Sequence, residues 1–292
     1  MTRTTLLCLL LLATPACGDD DDSTGDGDAD ADGDTDADGD TDADVDADGD
    51  ADGDGDADGD GDVDGDADGD ADTCDPTAPA CVDQIILDLS LHFDLVSQGE
   101  VSTTADGDDF VTTIDATAGG FEASQDNPWV YVKFSPDGAS RVDIDDETAL
   151  ESMDWDMGLR RFIVRLNGGD SGPSCVGAVA LLESTYDDVA EVPVGLTYQL
   201  DDFYTNDCTL VNDSSGLPGS PQVALGAWWE YPGCVATTGI PHLVQLADGS
   251  VIKLVVESYF ESLDDQAACN ADGAAPDGAV SAFYTIRWRF MP

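Results

Sequence analysis

The sequence predicts an all-β domain at residues 74–292, folded as an antiparallel sandwich or a partly closed barrel after a disordered acidic segment. The first observation is that every even-numbered residue from Asp26 to Asp72 is aspartate, separated only by Gly, Ala, Thr or Val. The second is that apolar and polar residues alternate in the domain, most clearly from Leu87 to Leu95. This alternation is typical of strands with one buried face.

Further strands are predicted by the same alternation and by the turn residues between the segments. They are expected near residues 110–116, 128–135, 155–166, 176–184, 194–204, 222–230, 240–247, 250–260 and 279–290. Ala247–Gly249 separates two apolar runs and predicts a hairpin turn. The best helix signal is a short turn around Asp146 to Met153.

Residues 1–16 are predicted to be a lipoprotein signal peptide. Arg3 precedes an apolar stretch from Leu6 to Ala13, which is too short to cross a bilayer. Cys17 directly follows Ala16, as does the cysteine that receives the lipid in bacterial lipoprotein signals. We therefore expect an exported protein, anchored through Cys17 in the outer membrane and facing the cell surface. A secretory peptide with a free Cys17 is the alternative.

Residues 17–73 are predicted to be a disordered spacer between the lipid and the domain. Neighbouring carboxylates in an extended chain lie about 7 Å apart, which is within the roughly 8 Å screening length of physiological salt. Their repulsion opposes collapse, and no large apolar side chain compensates the entropy of ordering. Asp28–Gly33 matches the first half of an EF-hand loop, but the twelfth position falls at Gly39, so the bidentate carboxylate is missing.

The charge of the domain excludes one class of partner. The chain has 64 acidic and 9 basic residues. The spacer contains 28 of the acidic residues, and Arg3 lies in the signal peptide, so 36 acidic and 8 basic residues remain in the domain. Its net charge is therefore near −28. Nucleic acid is excluded as a partner because its binding needs clustered Lys and Arg.

An even number of cysteines remains in the mature domain once Cys8 and Cys17 are set aside. The six are Cys74, Cys81, Cys175, Cys208, Cys234 and Cys269. In an oxidising compartment we expect them to form disulfides, and their spacing suggests only one pair, Cys74 with Cys81. No Cys-x-x-Cys or His-x-x-x-His spacing indicates zinc.

Several segments of the domain resemble one known family. They are Pro128–Phe134, Asp154–Gly169, Asp170–Gly172, the hairpin Val244–Tyr259 and the closing strand Thr285–Phe290. Together, and in this order, they resemble the HmuY family of bacterial surface lipoproteins.

The resemblance implies an all-β surface protein and, by analogy with the founding members, capture of haem for iron uptake with an outer-membrane haem transporter as partner. Those members ligate the iron axially with two histidines or two methionines from loops in the second half of the domain. Here Asp201–Gly233 contains neither residue type. The substitute candidates are Tyr204, Tyr231, His242 and Met157, because Tyr, His and Met can all ligate haem iron.

Two further groups of residues indicate a binding surface. Trp228, Trp229 and Tyr231 are close in sequence, and adjacent strand residues face opposite ways, so the same core can bury only one tryptophan. The other is either covered by a loop or available to stack on a flat ligand or sugar. A second group is Arg160, Arg161 and Arg165, which either form structural salt bridges or bind an anionic group such as a propionate or an acidic glycan.

The candidate ligands also have structural interpretations. His92 lies on the polar face of an alternating strand and is expected to be solvated. His242 lies two residues before Val244, so the two side chains are expected on the same face of the predicted strand, which predicts a packed histidine. Met157 flanks Trp155 at a spacing of two and is expected to face the core.

Gly169-Asp-Ser-Gly-Pro173 resembles the nucleophile segment of trypsin-like proteases. Pro173 departs from that motif, and the upstream His92 has no resemblance to the protease histidine segment. A serine nucleophile needs a histidine base held by a carboxylate, so we expect no enzyme. A binding module for glycan or protein ligands, and a structural surface component that keeps only the family fold, are the alternatives to haem binding.

Overall fold

The computed structural model of the chain describes residues 74–117 and 126–292. Within these residues it confirms the all-β fold as an antiparallel sandwich, with no closed barrel. The predicted signal peptide, Cys17 and the acidic spacer lie outside the described residues.

The described part of the chain contains twelve strands and three α-helices. The strands are β1 (Val101–Asp106), β2 (Asp109–Asp115), β3 (Val130–Ser135), β4 (Gly138–Val142), β5 (Met157–Arg160), β6 (Ile163–Leu166), β7 (Gly177–Ala180), β8 (Trp229–Glu230), β9 (Ala236–Thr237), β10 (His242–Gln245), β11 (Val251–Phe260) and β12 (Ser281–Phe290). The helices are α1 (Val82–Asp88), α2 (Asp146–Ala149) and α3 (Leu263–Asp272).

Two sheets enclose the main core. One has six strands in the order β1-β2-β12-β11-β10-β7, and the other has four in the order β4-β3-β5-β6. Val132 of β3, Leu159 of β5, Leu254 of β11 and Trp288 of β12 are all fully buried in this one cluster. Burial of large apolar side chains between the sheets is the main source of stability in such a fold.

The outer face of the four-stranded sheet carries a second core. Trp129, Tyr131 and Trp155 pack there with Ile85 of α1 and Leu150, which ends α2. Because side chains alternate along β3, Tyr131 faces this cluster while its neighbour Val132 faces the main core. The four-stranded sheet is therefore buried on both faces.

Short polar sequences complete the hairpins and helices. Gly249 has φ of +81° in the turn between β10 and β11, where a left-handed residue is required. Ser262 accepts hydrogen bonds from the N–H groups of Asp264 and Asp265 and caps α3. The predicted turn at Ala247–Gly249 and the predicted helix near Asp146 are confirmed.

The strand predicted at Leu87–Leu95 is wrong. Residues Val82–Asp88 form α1 instead, and Phe93 and Leu95 are exposed rather than sharing a buried face. Ile85 and Leu89 are buried, at the i, i+4 spacing of a helix. The period-two pattern therefore competed with a helical pattern that overlaps it.

The strand predicted at 155–166 is two strands. β5 and β6 pair as a hairpin, with Arg160 opposite Ile163, and Arg161 and Phe162 form the turn. Among the described residues, 194–204 forms only isolated bridges, and the predicted strands at 176–184 and 222–230 are shortened to β7 and β8. Sequence alternation did not predict β1, which is mostly polar and is held by its pairing with β2.

All six domain cysteines form disulfides, but the predicted Cys74–Cys81 pair is wrong. The bonds join Cys74 to Cys175, Cys81 to Cys208 and Cys234 to Cys269. Cys81 precedes α1, and its bond attaches that helix to the loop at Cys208, which packs against the second core. The spacing of Cys74 and Cys81 gave no information on contacts between distant segments.

Candidate functional site

An apolar cleft of about 410 Å³ opens beside the tip of the β5–β6 hairpin. Its walls include Arg161 and Phe162 from the hairpin turn and Tyr231 from the segment after β8. Tyr259 and Phe260, at the end of β11, contribute the aromatic floor. We call this the apolar cleft. Its volume is within the roughly 300–1,000 Å³ of typical ligand sites.

The hairpin turn places Arg161 at the edge of the cleft. Arg161 has φ of +53°, its N–H donates to the carbonyl of Ala116 at 3.2 Å, and its own carbonyl accepts from the hydroxyl of Tyr284 at 2.7 Å. These two bonds hold the backbone on both sides of the turn. The guanidinium carbon lies 5.7 Å from the centre of the Phe162 ring. A cation therefore stands beside an aromatic surface in a very acidic domain.

Tilted aromatic rings in mutual contact form the wall behind Phe162. The Phe162 and Trp229 ring centres are 4.9 Å apart, and Trp228 lies 6.1 Å from both Trp229 and Tyr259. Such contacts stabilise the rings beyond their burial. The wall is thus part of the main core rather than a loose surface patch.

Tyr231 is the aromatic residue that projects from this wall. Trp228 is 2% exposed and Trp229 is 8% exposed, whereas Tyr231 is 45% exposed. The sequence predicted that one of the two tryptophans would lie outside the core. Both tryptophans are buried, because Trp229 packs on Phe162 of the neighbouring hairpin, and the exposed ring is that of Tyr231.

Helix α3 fixes the back of the apolar cleft. The Cys234–Cys269 disulfide joins the helix to the cleft wall. The Gln266 side chain accepts from the N–H of Tyr259 at 2.7 Å and donates to the carbonyl of Val235 at 3.2 Å. One helix therefore positions two separate wall residues.

A second cleft, of about 500 Å³, is also lined by Tyr231. It is lined by Tyr231 and Trp229 together with polar residues, among them Asp213, Gln222 and Glu230. We call it the polar cleft. Tyr231 lines both clefts.

The two other arginines of the predicted basic cluster lie outside the clefts. Arg160 donates to the carbonyls of Leu89 and Ser90, and burial lowers its pKa to about 10. Arg165 is fully buried, lies 4.2 Å from the centre of the Trp129 ring and donates to the hydroxyl of Tyr131 at 2.8 Å. These two arginines are structural, but they bind carbonyls, rings and a hydroxyl rather than forming the expected salt bridges.

The remaining ligand candidates are distributed through the domain. Met157 is buried in the main core, as predicted for a residue beside Trp155. Tyr204 donates its hydroxyl to the Asp88 carboxylate at 3.0 Å in the second core. His242 is fully buried, with Nδ1 3.1 Å from the carbonyl oxygen of Ile240, and burial lowers its pKa to about 4. None of the three lines either cleft.

His92 is half-buried, and its backbone N–H donates to the Asp146 carboxylate at 3.0 Å. It also lies outside both clefts.

The protease-like segment has a structural role. Ser171 is fully buried, and its hydroxyl donates to the carboxylate of Asp201 at 2.5 Å. The neighbouring Asp170 carboxylate accepts from the N–H groups of Phe203 and Tyr204 at 2.6 and 2.8 Å. The segment thus holds the chain at 201–204. Within the described residues, no group of His, Cys, Asp and Glu is arranged to bind a metal ion.

Sequence reasoning missed Phe162, Tyr259 and Phe260 as cleft residues. The sequence pattern predicts Phe162 in the middle of a strand at 155–166, whereas it stands at a turn. A twelve-residue prediction was longer than the usual strand of about five or six residues, and this excess length was the signal that a turn was present. Tyr259 and Phe260 were correctly placed at the end of a strand, but the sequence did not show that the strand ends at a cleft.

The HmuY family model, described as HmuY protein, matches residues 125–270, which is half of the chain. No curated protein matches the chain.

Three solved structures match the chain at low sequence identity. A putative HmuY-like heme-binding protein from Bacteroides vulgatus ATCC 8482 is 16% identical, with 64% of this chain and 95% of that chain covered and a TM-score of 0.40. A putative lipoprotein from Bacteroides fragilis NCTC 9343 is 16% identical, with coverage of 64% and 91% and a TM-score of 0.36. The apo HmuY analog of Tannerella forsythia is 18% identical, with coverage of 68% and 100% and a TM-score of 0.38.

Proposed function

This chain belongs to the HmuY family, and we propose that it is an exported surface lipoprotein whose apolar cleft binds haem or a related tetrapyrrole. The observation that carries this proposal is that a cation, Arg161, and the aromatic residues Tyr231, Tyr259 and Phe260 line one cleft. A tetrapyrrole such as haem is a flat apolar ring with acidic substituents, so it needs both kinds of contact.

The residues of the apolar cleft fit such a ligand in three ways. Phe162 and Phe260 provide ring surfaces for the macrocycle. Arg161 supplies a guanidinium for a propionate, with which it forms charge-assisted hydrogen bonds. Tyr231 supplies a phenol oxygen, a known type of axial ligand for haem iron.

The cleft departs from the paired ligands of the family's founding members. None of the described residues that line it is a histidine or methionine. His242 and Met157 are packed in the interior, so they are not in a position to reach a ligand in the cleft. We therefore assign the iron contact to Tyr231 alone.

We place the domain at the cell surface, attached through a lipid on Cys17 and extended from the outer membrane by the spacer at 17–73. An outer-membrane haem transporter is then the natural recipient of the ligand. None of the helices described here is long and apolar enough to span a bilayer. We further propose that the chain is a binding protein and not an enzyme.

The test is a titration of the purified protein with haemin and, in parallel, with metal-free protoporphyrin IX, followed by tetrapyrrole absorbance. Tyr231→Phe is expected to weaken haemin binding by about tenfold or more and to leave protoporphyrin binding unchanged, because the ring stays and only the phenol oxygen is lost. Arg161→Gln is expected to weaken both ligands, because both carry propionates.

Tyr204→Phe is the matched control. It removes a phenol oxygen that bonds to Asp88 away from the cleft, so the affinity for haemin is expected to remain at the wild-type value. The proposal fails if neither tetrapyrrole binds the wild-type protein, or if Tyr204→Phe reduces haemin binding as much as Tyr231→Phe does.

A further inference from the structure

We propose that the polar cleft is a second binding site, separate from the apolar cleft, and that its ligand is a neutral oligosaccharide. The cleft has its own volume of about 500 Å³, and its lining contains both aromatic and hydrogen-bonding side chains. Tyr231 is the residue that it shares with the apolar cleft.

The aromatic side of the polar cleft suits the apolar face of a sugar ring. Tyr231 is 45% exposed, so its ring is accessible from the cleft. Trp229 also lines the cleft, but it is only 8% exposed and packs against Phe162 and Trp228, so Tyr231 provides the accessible ring. Large rigid aromatic side chains provide contact area at a low entropic cost.

The polar side of the cleft contains side chains that have no protein partner. Gln222, Glu230 and Ser214 line the cleft, and none of their side chains forms a hydrogen bond with another described residue. Glu230 offers acceptors only, whereas the amide of Gln222 and the hydroxyl of Ser214 both donate and accept. A ligand rich in hydroxyl groups can satisfy all three, because each hydroxyl is both a donor and an acceptor.

The charges around the cleft favour a neutral ligand. No basic side chain is among the described residues that line it, and the domain has a net charge near −28, so an anionic ligand would be repelled. Asp213 already accepts from the N–H of Ser215 at 2.9 Å and from the hydroxyl of Ser220 at 2.6 Å. Glu230 is then the one carboxylate among the described lining residues that is free to bind a cationic ligand. It is exposed, and one exposed carboxylate binds a cation only weakly.

The rim of the polar cleft is held in place before any ligand arrives. The Gln222 N–H donates to the carbonyl of Val211 at 3.0 Å, and the N–H of Ala224 donates to the buried carboxylate of Asp201 at 2.8 Å. Asp213 closes the intervening loop through its two bonds described above. A preorganised rim lowers the entropic cost of binding.

The experiment measures binding of the purified protein to a panel of neutral oligosaccharides built from glucose, galactose, mannose and N-acetylglucosamine, with their sialylated and sulfated counterparts and acidic and basic peptides in parallel. Tryptophan fluorescence reports binding near Trp229, and calorimetry gives the affinity. We expect binding of at least one neutral oligosaccharide and weaker binding of its charged counterpart.

Variants separate this site from the apolar cleft. Gln222→Ala and Glu230→Gln are expected to weaken oligosaccharide binding by about tenfold or more and to leave haemin binding unchanged. Arg161→Gln is expected to weaken haemin binding and to leave oligosaccharide binding unchanged. Glu151→Gln, at an exposed position beyond α2, is the matched control and should change neither. If the tetrapyrrole proposal is wrong, haemin binding is absent but the response to oligosaccharide and its loss in Gln222→Ala remain.

Three outcomes overturn the proposal. One is the absence of binding to every neutral oligosaccharide in the panel. Another is stronger binding of the charged glycans or of a peptide. The third is neutral oligosaccharide binding that Gln222→Ala and Glu230→Gln leave at the wild-type affinity.

Discussion

A Cβ atom on Gly169 would lie 2.0 Å from the carbonyl oxygen of Asp201. Gly169 pairs with Asp201 in a parallel bridge, and the N–H of Asp170 donates to the same carbonyl at 2.8 Å. The close approach of these two backbones explains why a glycine stands at this point of the Gly-Gly-Asp-Ser-Gly segment. It also fixes the segment at Asp201 that supports the polar cleft.

Gly169→Ala is therefore expected to lower the free energy of unfolding by about 3 kcal/mol or more, or to prevent folding. The substitution combines a steric clash with a left-handed φ of +62°. Gly195→Ala is the matched control, because Gly195 is also left-handed, at +79°, but has open space around its Cβ position. Urea denaturation should give a loss of only about 1 kcal/mol for the control. Equal losses in the two variants would contradict this account.

Replacement of Asp201 tests whether its carboxylate holds the neighbouring segments together by hydrogen bonds. Its buried carboxylate accepts from the N–H of Leu166 at 2.9 Å, the hydroxyl of Ser171 and the N–H of Ala224. An asparagine would direct an amide N–H at one of these donors. Asp201→Asn is therefore expected to lower the free energy of unfolding by about 2–3 kcal/mol. Asp202→Asn, at the exposed neighbouring position, should change it by less than about 0.5 kcal/mol.

Two buried groups are expected to act in opposite directions on the pH dependence of stability. Burial raises the pKa of Asp201 to about 6, although its hydrogen bonds oppose the rise. The folded state then binds more protons than the unfolded state between about pH 4 and 6, so this contribution to stability falls as pH rises. Burial lowers the pKa of His242 to about 4. The unfolded state binds more protons up to about pH 6.5, so this contribution rises with pH.

Measuring unfolding of wild type and His242→Gln by urea from pH 4 to 6.5 separates the two. The stability of wild type relative to His242→Gln is expected to increase by roughly 2–3 kcal/mol over this range. The stability of wild type relative to Asp201→Asn is expected to decrease by a similar amount over the same pH range. A stability difference that stays constant with pH in both comparisons would show that neither group titrates as proposed.

The Cys234–Cys269 disulfide is expected to affect ligand binding as well as stability. It closes a loop with a sequence separation of 35, so replacing both cysteines by alanine should lower the free energy of unfolding by about 3–4 kcal/mol. Because Cys234 lines the apolar cleft, haemin binding should also weaken. Replacing Cys74 and Cys175 together is the control, since this pair lies outside both clefts. It should destabilise the fold without changing haemin affinity under conditions where the protein is folded.

Membrane attachment tests the prediction made from residues 1–17. Cys17→Ser is expected to move the protein from the detergent phase to the aqueous phase of a Triton X-114 extract, because the acylated thiol is lost. Cys8→Ser lies in the predicted signal peptide and should leave the partition unchanged. Intact mass measurement should show an acyl group on the wild-type protein and none on Cys17→Ser. A wild-type protein without acyl mass would refute lipidation.

The strands that sequence reasoning placed best are those with strong local patterns. β3, β10, β11 and β12 are confirmed close to their predicted bounds, although only β12 alternates in burial and the other three are buried at most positions. The segment at Leu87–Leu95 was wrong because a short apolar pattern fits both a strand and a helix. There the choice was made by packing of Ile85 and Leu89 in the second core.

The candidate site was predicted in part. The basic cluster at 160–165 and the aromatic segment at 228–231 predict Arg161, Trp229 and Tyr231 as binding residues, and all three line a cleft. Trp228 and Arg160 of the same two groups line neither cleft, and neither do the iron-ligand candidates Tyr204, His242 and Met157. Residue type identifies the chemistry that a side chain can perform, but its exposure depends on which segment packs over it.

By itself, the sequence determined the all-β class, the acidic character, the family resemblance and the even set of cysteines in the domain, because composition and short-range periodicity act through neighbouring residues. Only the tertiary structure decided the cysteine partners, the turn at Arg161 and Phe162, and the meeting of that turn with Tyr231 and Tyr259. These features depend on contacts between segments up to 127 residues apart, for which the free energy of burial, rather than local pattern, selects the partner.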